Sequence, residues 1–225
     1  MRRFAAPDER ICLFCLNEYS LNTDFTQLLL DDDCLCPQCR KNIHVLNRTY
    51  RVDGHNVHVL YEYNEFMEQL LFQYKEDQDI ALAGLFLHGH PRLIRRLRKR
   101  QLAALASWPD KILERGFDPL TEILRPWNLD LIHPWEKTAA FKQSENDPDS
   151  RRQVAHLIRP ASLQPGRQDG RRLLILDDVI TTGATLQALF DLARDERCEA
   201  LVLAAHPLWL AAHEKDRRAH PAFFR

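Results

Sequence analysis

The chain has 225 residues, 45% of them hydrophobic and 28% charged, and its 31 Lys and Arg against 32 Asp and Glu leave a formal net charge of -1. That composition excludes a disordered or collagen-like polymer, and the near-neutral total excludes coating of nucleic acid by bulk charge, leaving room only for a local basic face. Residues Met1 to Arg10 carry charges and a proline in place of an apolar leader, and no apolar run approaches the ~18 residues that span a bilayer, so a cytoplasmic protein is expected.

The length fits one small module joined to one ordinary domain. Five of the six cysteines lie between Cys12 and Cys39. Such crowding without an export signal favours metal over disulfides, because cytosolic thiols are kept reduced. Cys12-Leu13-Phe14-Cys15 and Cys36-Pro37-Gln38-Cys39 form two Cys-x-x-Cys knuckles separated by twenty residues, the spacing of a zinc ribbon. Cys12, Cys15, Cys36 and Cys39 are therefore the expected ligands of a closed, structural Zn²⁺ site, with Cys34 as a substitute donor. Residues 1–50 are expected to form this module, which is too small to fold on burial alone and needs the metal to do so. Cys198 reads as a small buried apolar residue.

The second domain is expected over 56–225. A strand is predicted over 57–63, and Phe66, Leu70, Leu71 and Tyr74 then recur at helical spacing. A helix over about 79–87, a break at His88-Gly89-His90-Pro91 and a basic helix over 93–100 follow. Leu102 to Ala106 can be a buried strand. A helix is expected after Gly116-Phe117 as far as Leu124, and a strand around 129–132. Residues 133–165 are polar and aperiodic, which in a compact domain marks a functional lid or a linker. The continuous apolar run Leu173-Leu174-Ile175-Leu176 reads as a central parallel strand. A helix over 185–194, a strand over 200–205 and a helical tail from Pro207 complete the pattern. Strands alternating with helices predict an α/β fold with a mainly parallel central sheet flanked by helices.

The chemistry concentrates after that central strand, in Asp177-Asp178-Val179-Ile180-Thr181-Thr182-Gly183-Ala184-Thr185. A Gly- and Thr-containing loop at a helix N-terminus offers backbone N–H groups, hydroxyls and the positive end of the helix dipole to a phosphate. Asp177 and Asp178 can accept hydrogen bonds from two vicinal ribose hydroxyls, at the edge where open α/β sheets bind ligands. No Lys follows a glycine-rich loop, which argues against a nucleoside-triphosphate P-loop.

This segment resembles the 5-phosphoribosyl 1-diphosphate (PRPP) signature of type I phosphoribosyltransferases. Together with the four-cysteine module it resembles the ComF family over nearly the whole chain. Leu35-Cys36-Pro37-Gln38-Cys39 is similar to that family's second knuckle, and Glu114-Arg115-Gly116-Phe117 to its Arg-Gly-Phe-Asn element. The resemblance implies a type I phosphoribosyltransferase-like fold whose PRPP site comprises Asp177, Asp178, Thr181, Thr182, Gly183, Ala184 and Thr185. It further implies Arg115 or Arg151 at the diphosphate, Mg²⁺ accompanying PRPP, and a mobile loop with Thr138, Gln143 and Arg151 or Arg152 that closes over the ligand. Two departures stand out. Asp118-Pro119 replaces the family's Asn-Gln, and Leu105-Ala106 stands where its diphosphate loop carries Val-Pro.

Arg92, Arg95, Arg96, Arg98, Lys99 and Arg100 form a dense basic run. Leu93, Ile94 and Leu97 give the same run an apolar stripe, so a helix with a solvated basic face is the stronger reading, and a track for single-stranded DNA the alternative. The resemblance thus implies a PRPP-binding competence protein that handles transforming single-stranded DNA in the cytoplasm, beside a partner ATPase and helicase. The alternatives are an active phosphoribosyltransferase using a nitrogen nucleophile, or a zinc-module nucleic-acid adaptor with a vestigial pocket. No residue identifies an acceptor base.

Overall fold

The computed structural model describes residues 9–20, 34–138, 157–161, 171–193, 198–218 and 223. Strands β1 (Glu9–Ile11) and β2 (Glu18–Ser20) pair as an antiparallel ribbon that holds the first cysteine knuckle between them. The second knuckle opens helix α1 (Pro37–Lys41). Cys36 sits at its N-cap, where Sγ accepts from the Cys39 N–H at 3.4 Å, and Pro37 occupies the first turn, where a missing N–H costs nothing.

Strands β3 (Val45–Val52) and β4 (His55–Glu62) form an antiparallel hairpin. Its turn residues Asp53 and Gly54 both take positive φ (46 and 85), which matches the twist of the flanking strands. Helix α2 (Glu65–Lys75) follows, its first turn capped by Asn64 Oδ1 accepting from the Met67 N–H at 2.9 Å. Met67, Leu70, Leu71 and Tyr74 are buried at the i, i+3, i+4, i+7 spacing of a single helix face. A 3₁₀ segment (Ile80–Gly84) and two short helices, α3 (Leu85–His88) and α4 (Pro91–Leu97), lead into strand β5 (Arg100–Leu105). Helices α5 (Pro109–Arg115) and α6 (Pro119–Leu124) precede strands β6 (Leu131–Lys137) and β7 (Ile158–Pro160). Strand β8 (Arg172–Ile180), helix α7 (Ala184–Ala193), strand β9 (Glu199–Ala205) and helix α8 (Pro207–Ala212) end the described core.

The main sheet has seven strands in the order β3-β4-β9-β8-β5-β6-β7. Strands β4, β9, β8, β5 and β6 run parallel to their neighbours, and antiparallel β3 and β7 close the two edges. This is the expected α/β architecture with a mainly parallel sheet. Apolar residues pack on both faces: Leu174, Leu176, Leu201 and Leu203 belong to one buried cluster, Ile175, Ala200 and Val202 to the other. Alternation along β8 and β9 sends successive side chains to opposite sides, as a doubly covered strand requires.

Several elements differ from the sequence expectation. Strand β3 was not foreseen, because Asn47, Arg48 and Arg51 interrupt its apolar positions. It overlaps the end of the region expected to belong to the cysteine module, yet it pairs in the main sheet. The basic helix stops at Leu97, and Arg100 instead begins β5. Helix α5 was also unforeseen: none of its residues is buried, so it carries no apolar period to read. Of the expected polar loop, residues 133–137 lie in β6 and 158–160 in β7. Among the described residues no helix is long and apolar enough to cross a membrane.

Candidate functional site

Strand β8 extends beyond its apolar run because its backbone keeps pairing with β9, with Asp177 opposite Val202 and Ile180 opposite Ala205. The two aspartates therefore sit on a rigid strand near its carboxyl end. The chain turns through residues 181–183 into α7, with Gly183 at φ +85, a conformation a side chain would strain. A Cβ at Gly183 would also lie 3.2 Å from Trp209 Nε1 of α8, so glycine answers a close approach as well as a turn.

A cleft of ≈ 610 Å³ opens here, within the range of small-ligand sites. Asp177, Asp178, Thr181, Thr182, Ala184 and Thr185 form its floor; Arg115 and Lys111 of α5 stand on one wall; Lys75, the last residue of α2, enters from another side. Gly183 faces a neighbouring cavity of ≈ 620 Å³, together with Thr182, Ala184 and Trp209. Of the residues singled out for the ligand, Arg151 lies outside the described residues, as do Gln143 and Arg152. Thr138 is half-buried at the end of β6, and its N–H donates to Leu157 O at 2.8 Å.

The cleft balances its charges. Lys75, Lys111, Arg115 and Lys137 face Asp110, Glu114, Asp177 and Asp178. Lys75 Nζ is ion-paired with Asp178 Oδ2 on the floor, Arg115 with Glu76, and Lys111 with Glu114 at 2.9 Å. Asp177 Oδ1 accepts from the Asp178 N–H at 3.0 Å. Burial pushes the Asp177 carboxyl up to about 7, and the neighbouring Asp178 carboxylate adds to the rise. Burial alone would also raise Asp178, but the Lys75 ammonium beside it outweighs that and holds the carboxyl below its usual range. One carboxyl is thus poised near neutrality while its neighbour stays ionised, a division that like charges in a shared site favour.

Sequence reasoning missed Lys75, Lys111 and Lys137. Nothing local marks them; the fold brings Lys75 to the floor across a separation of 103 residues. It also could not see how the departure at Asp118 works. Asp118 Oδ1 accepts from the Thr121 N–H (3.0 Å) and hydroxyl (2.8 Å), capping α6, while Oδ2 accepts from Ser107 Oγ at 2.8 Å. The segment after β5 that lines the cleft is pinned by this aspartate.

The cysteine cluster forms a second site. The Sγ atoms of Cys12, Cys15, Cys36 and Cys39 all lie within 4.8 Å of one another and can hold a metal ion. Burial opposes ionisation of Cys12, yet backbone donors at Cys15, Cys36 and Phe14 bring its thiol down to about 7. Cys34 lies outside this set, and burial pushes its thiol up to about 11. The module is built onto α2: Phe14 meets Phe66 with ring centroids 4.7 Å apart, Gln73 Nε2 donates to Leu13 O at 3.0 Å, and Asn64 Nδ2 donates to Asn42 O at 3.0 Å. Cys12, Cys36 and Cys39 share a buried cluster with Met67 and Leu70.

Of the basic residues of α4, Arg92 and Arg95 are exposed and Arg96 is half-buried; Arg98 and Lys99, just beyond the helix, are exposed, while Leu93, Ile94 and Leu97 are buried. The solvated basic face over an apolar stripe is what the fold contains.

No protein-family model and no curated protein matches the chain. Among solved structures it is similar to a hypoxanthine phosphoribosyltransferase from Staphylococcus aureus, at 14% identity over 57% of this chain and 61% of that one, with a TM-score of 0.32. It is also similar to a xanthine-guanine-hypoxanthine phosphoribosyltransferase from Helicobacter pylori, at 13% identity over 51% of this chain and 76% of that one, with a TM-score of 0.28. The chain spans about three-fifths of the first of these (61%). Likeness of this degree carries no weight for function, which the cleft's own residues must supply.

Proposed function

We propose that the cleft binds PRPP and that the chain is a type I phosphoribosyltransferase-like protein of the ComF kind. The observation that carries this reading is the placement of Asp177, Asp178, Thr181, Thr182 and Thr185 on one continuous cleft floor, where β8 ends and α7 begins. In this reading Asp177 and Asp178 accept hydrogen bonds from the vicinal ribose hydroxyls. Thr181, Thr182 and Thr185, with the backbone of Gly183 and Ala184 at the N-terminus of α7, hold the 5-phosphate. Arg115 holds the diphosphate, with Arg151 as the alternative. Mg²⁺, when bound with PRPP, would supply positive charge that offsets the diphosphate.

We assign Zn²⁺ to the cysteine cluster. Tetrahedral coordination at a Zn–S distance of about 2.3 Å sets thiolates about 3.8 Å apart, and Cys15 Sγ and Cys36 Sγ are 3.8 Å apart. Four protein ligands close the site, so its role is structural.

The cellular role we attach to this chemistry is the handling of transforming single-stranded DNA in the cytoplasm, beside a competence ATPase and helicase. Exposed Arg92 and Arg95 of α4, with Arg98 and Lys99 just after it, support it. The pinned Ser107 segment favours a second reading, active transfer: a held diphosphate end is what displacement at C1 by a nitrogen nucleophile requires.

Calorimetric titration of PRPP with Mg²⁺ into the zinc-loaded protein tests the first reading. Saturable binding is expected, with its loss in the Asp177→Asn/Asp178→Asn double variant. An absence of binding in the wild type would overturn it. Release of diphosphate on adding candidate nitrogen bases separates transfer from binding alone.

A further inference from the structure

Helix α2 brings two opposite charges to the cleft side by side. Lys75 reaches the floor at Asp178, and the next residue, Glu76, reaches the wall at Arg115. The second contact differs from an ordinary surface pair. Arg115 is only 16% exposed and Glu76 35%, and Arg115 Nε has no hydrogen-bond partner among the described residues. The guanidinium is thus held by one carboxylate, with its Nε buried and unpartnered. It also ends α5, none of whose residues is buried. That wall rests on polar contacts: the Arg115–Glu76 pair and the bond from Gln78 Nε2 to Glu114 O at 3.0 Å.

We propose that Glu76 is a built-in competitor for Arg115, which a diphosphate entering the cleft must displace. The proposal rests on the reading of the cleft as a phosphorylated-sugar site. A carboxylate and a phosphate offer the planar guanidinium the same two-oxygen partner, and the more highly charged group wins. A singly charged ligand exchanges one carboxylate-like partner for another and gains nothing. A diphosphate brings charge enough to take Arg115 from Glu76. Glu76 therefore sets a threshold that selects diphosphates over weaker anions, and it neutralises Arg115 when no ligand is there. Adjacent Lys75 screens Asp178 in the same way, so α2 carries the resting partners of both a cation and an anion of the site.

The test is a double-mutant cycle read by calorimetry. Inorganic pyrophosphate and, separately, PRPP with Mg²⁺ are titrated into the wild type, Glu76→Gln, Arg115→Gln and the double variant. Glu76→Gln is expected to tighten binding of both ligands about fivefold, the release of one ion pair of about 1 kcal/mol. In the Arg115→Gln background that gain should vanish. A gain of affinity is not something a damaged fold supplies. An equal gain in the Arg115→Gln background would overturn the proposal, since it would report only the removal of negative charge. PRPP binding in the wild type without any gain in Glu76→Gln would overturn the competition and leave the PRPP reading standing. The expected cycle with pyrophosphate, but no binding of PRPP, would do the reverse. No binding of either ligand by any of the proteins would overturn both.

Discussion

Asp177 and Asp178 are chemically identical and adjacent, yet the fold drives them apart. Burial and its neighbour raise Asp177 to about 7, while Lys75 holds Asp178 low. The direction of the resulting pH dependence follows from linkage. Between the ordinary value of 3.8 and about 7, folded Asp177 keeps a proton that the unfolded chain has released. Its contribution to stability is therefore fully present below pH 3.8 and is lost as pH rises through about 7. Asp178 acts oppositely, its contribution being present above 3.8 and lost as pH falls through its lowered value. Urea denaturation at a series of pH values should show the wild type losing stability relative to Asp177→Asn across the first window. Parallel curves would mean that Asp177 is ionised throughout. At this scale the sequence was most informative where a site is continuous in the chain. The doubled aspartate and the cysteine knuckles each announce their partners within a few residues, whereas Lys75 and Glu76 have no meaning until α2 is laid against β8 and α5.

Among the elements, α6 shows how one aspartate can start a helix and hold a neighbouring segment at once. Asp118 begins the helix, accepts from Thr121, and reaches back to Ser107 on the cleft. Asp118→Ala removes a helix cap and should cost about 1–2 kcal/mol of unfolding free energy, with Asp118→Asn recovering most of it because its side-chain oxygen still caps. Urea midpoints for the three proteins check this. An unchanged midpoint in the alanine variant would mean that Pro119 alone starts the helix. Helix α2 and strand β8 were legible because each buries a regular apolar pattern. Helix α5 and strand β3 were not: the first buries nothing, and the second is interrupted by Asn47, Arg48 and Arg51. Periodicity reports burial, so an element that buries little leaves no trace of itself.

At the level of the whole molecule, the sheet is fastened at the end away from the cleft by charge as well as by apolar packing. Glu199, at the start of β9, accepts from Asn56 Nδ2 of β4 at 2.9 Å and from Arg100 of β5 at 2.5 Å, across the intervening β8. Both members of the ion pair are mostly buried, at 15% and 18% exposed. Glu199→Ala should destabilise the fold by about 3 kcal/mol, because it leaves Arg100 without its carboxylate, and Arg100→Met with Glu199→Leu should recover much of that loss. Chemical denaturation of the single and double variants decides it: equal losses in both would assign the effect to packing. The parallel α/β class was legible from the alternation of strands and helices. The antiparallel strands at both edges were not, since their partners are chosen by topology.

One of those edges has a consequence for how this chain can change. Strands β6 and β7 pair from Trp135 with Pro160 to Lys137 with Ile158, and the Thr138 N–H closes on Leu157 O at 2.8 Å. Thr138 and Leu157 thus stand side by side at the edge of the sheet. Closing a segment between two such neighbours costs only about 0.6 kcal/mol for each doubling of its length. The pairing of β6 with β7 therefore fixes both of these chain ends to the edge of the sheet that carries the aspartates, so that a change in the number of residues joining them costs the sheet little in closure entropy.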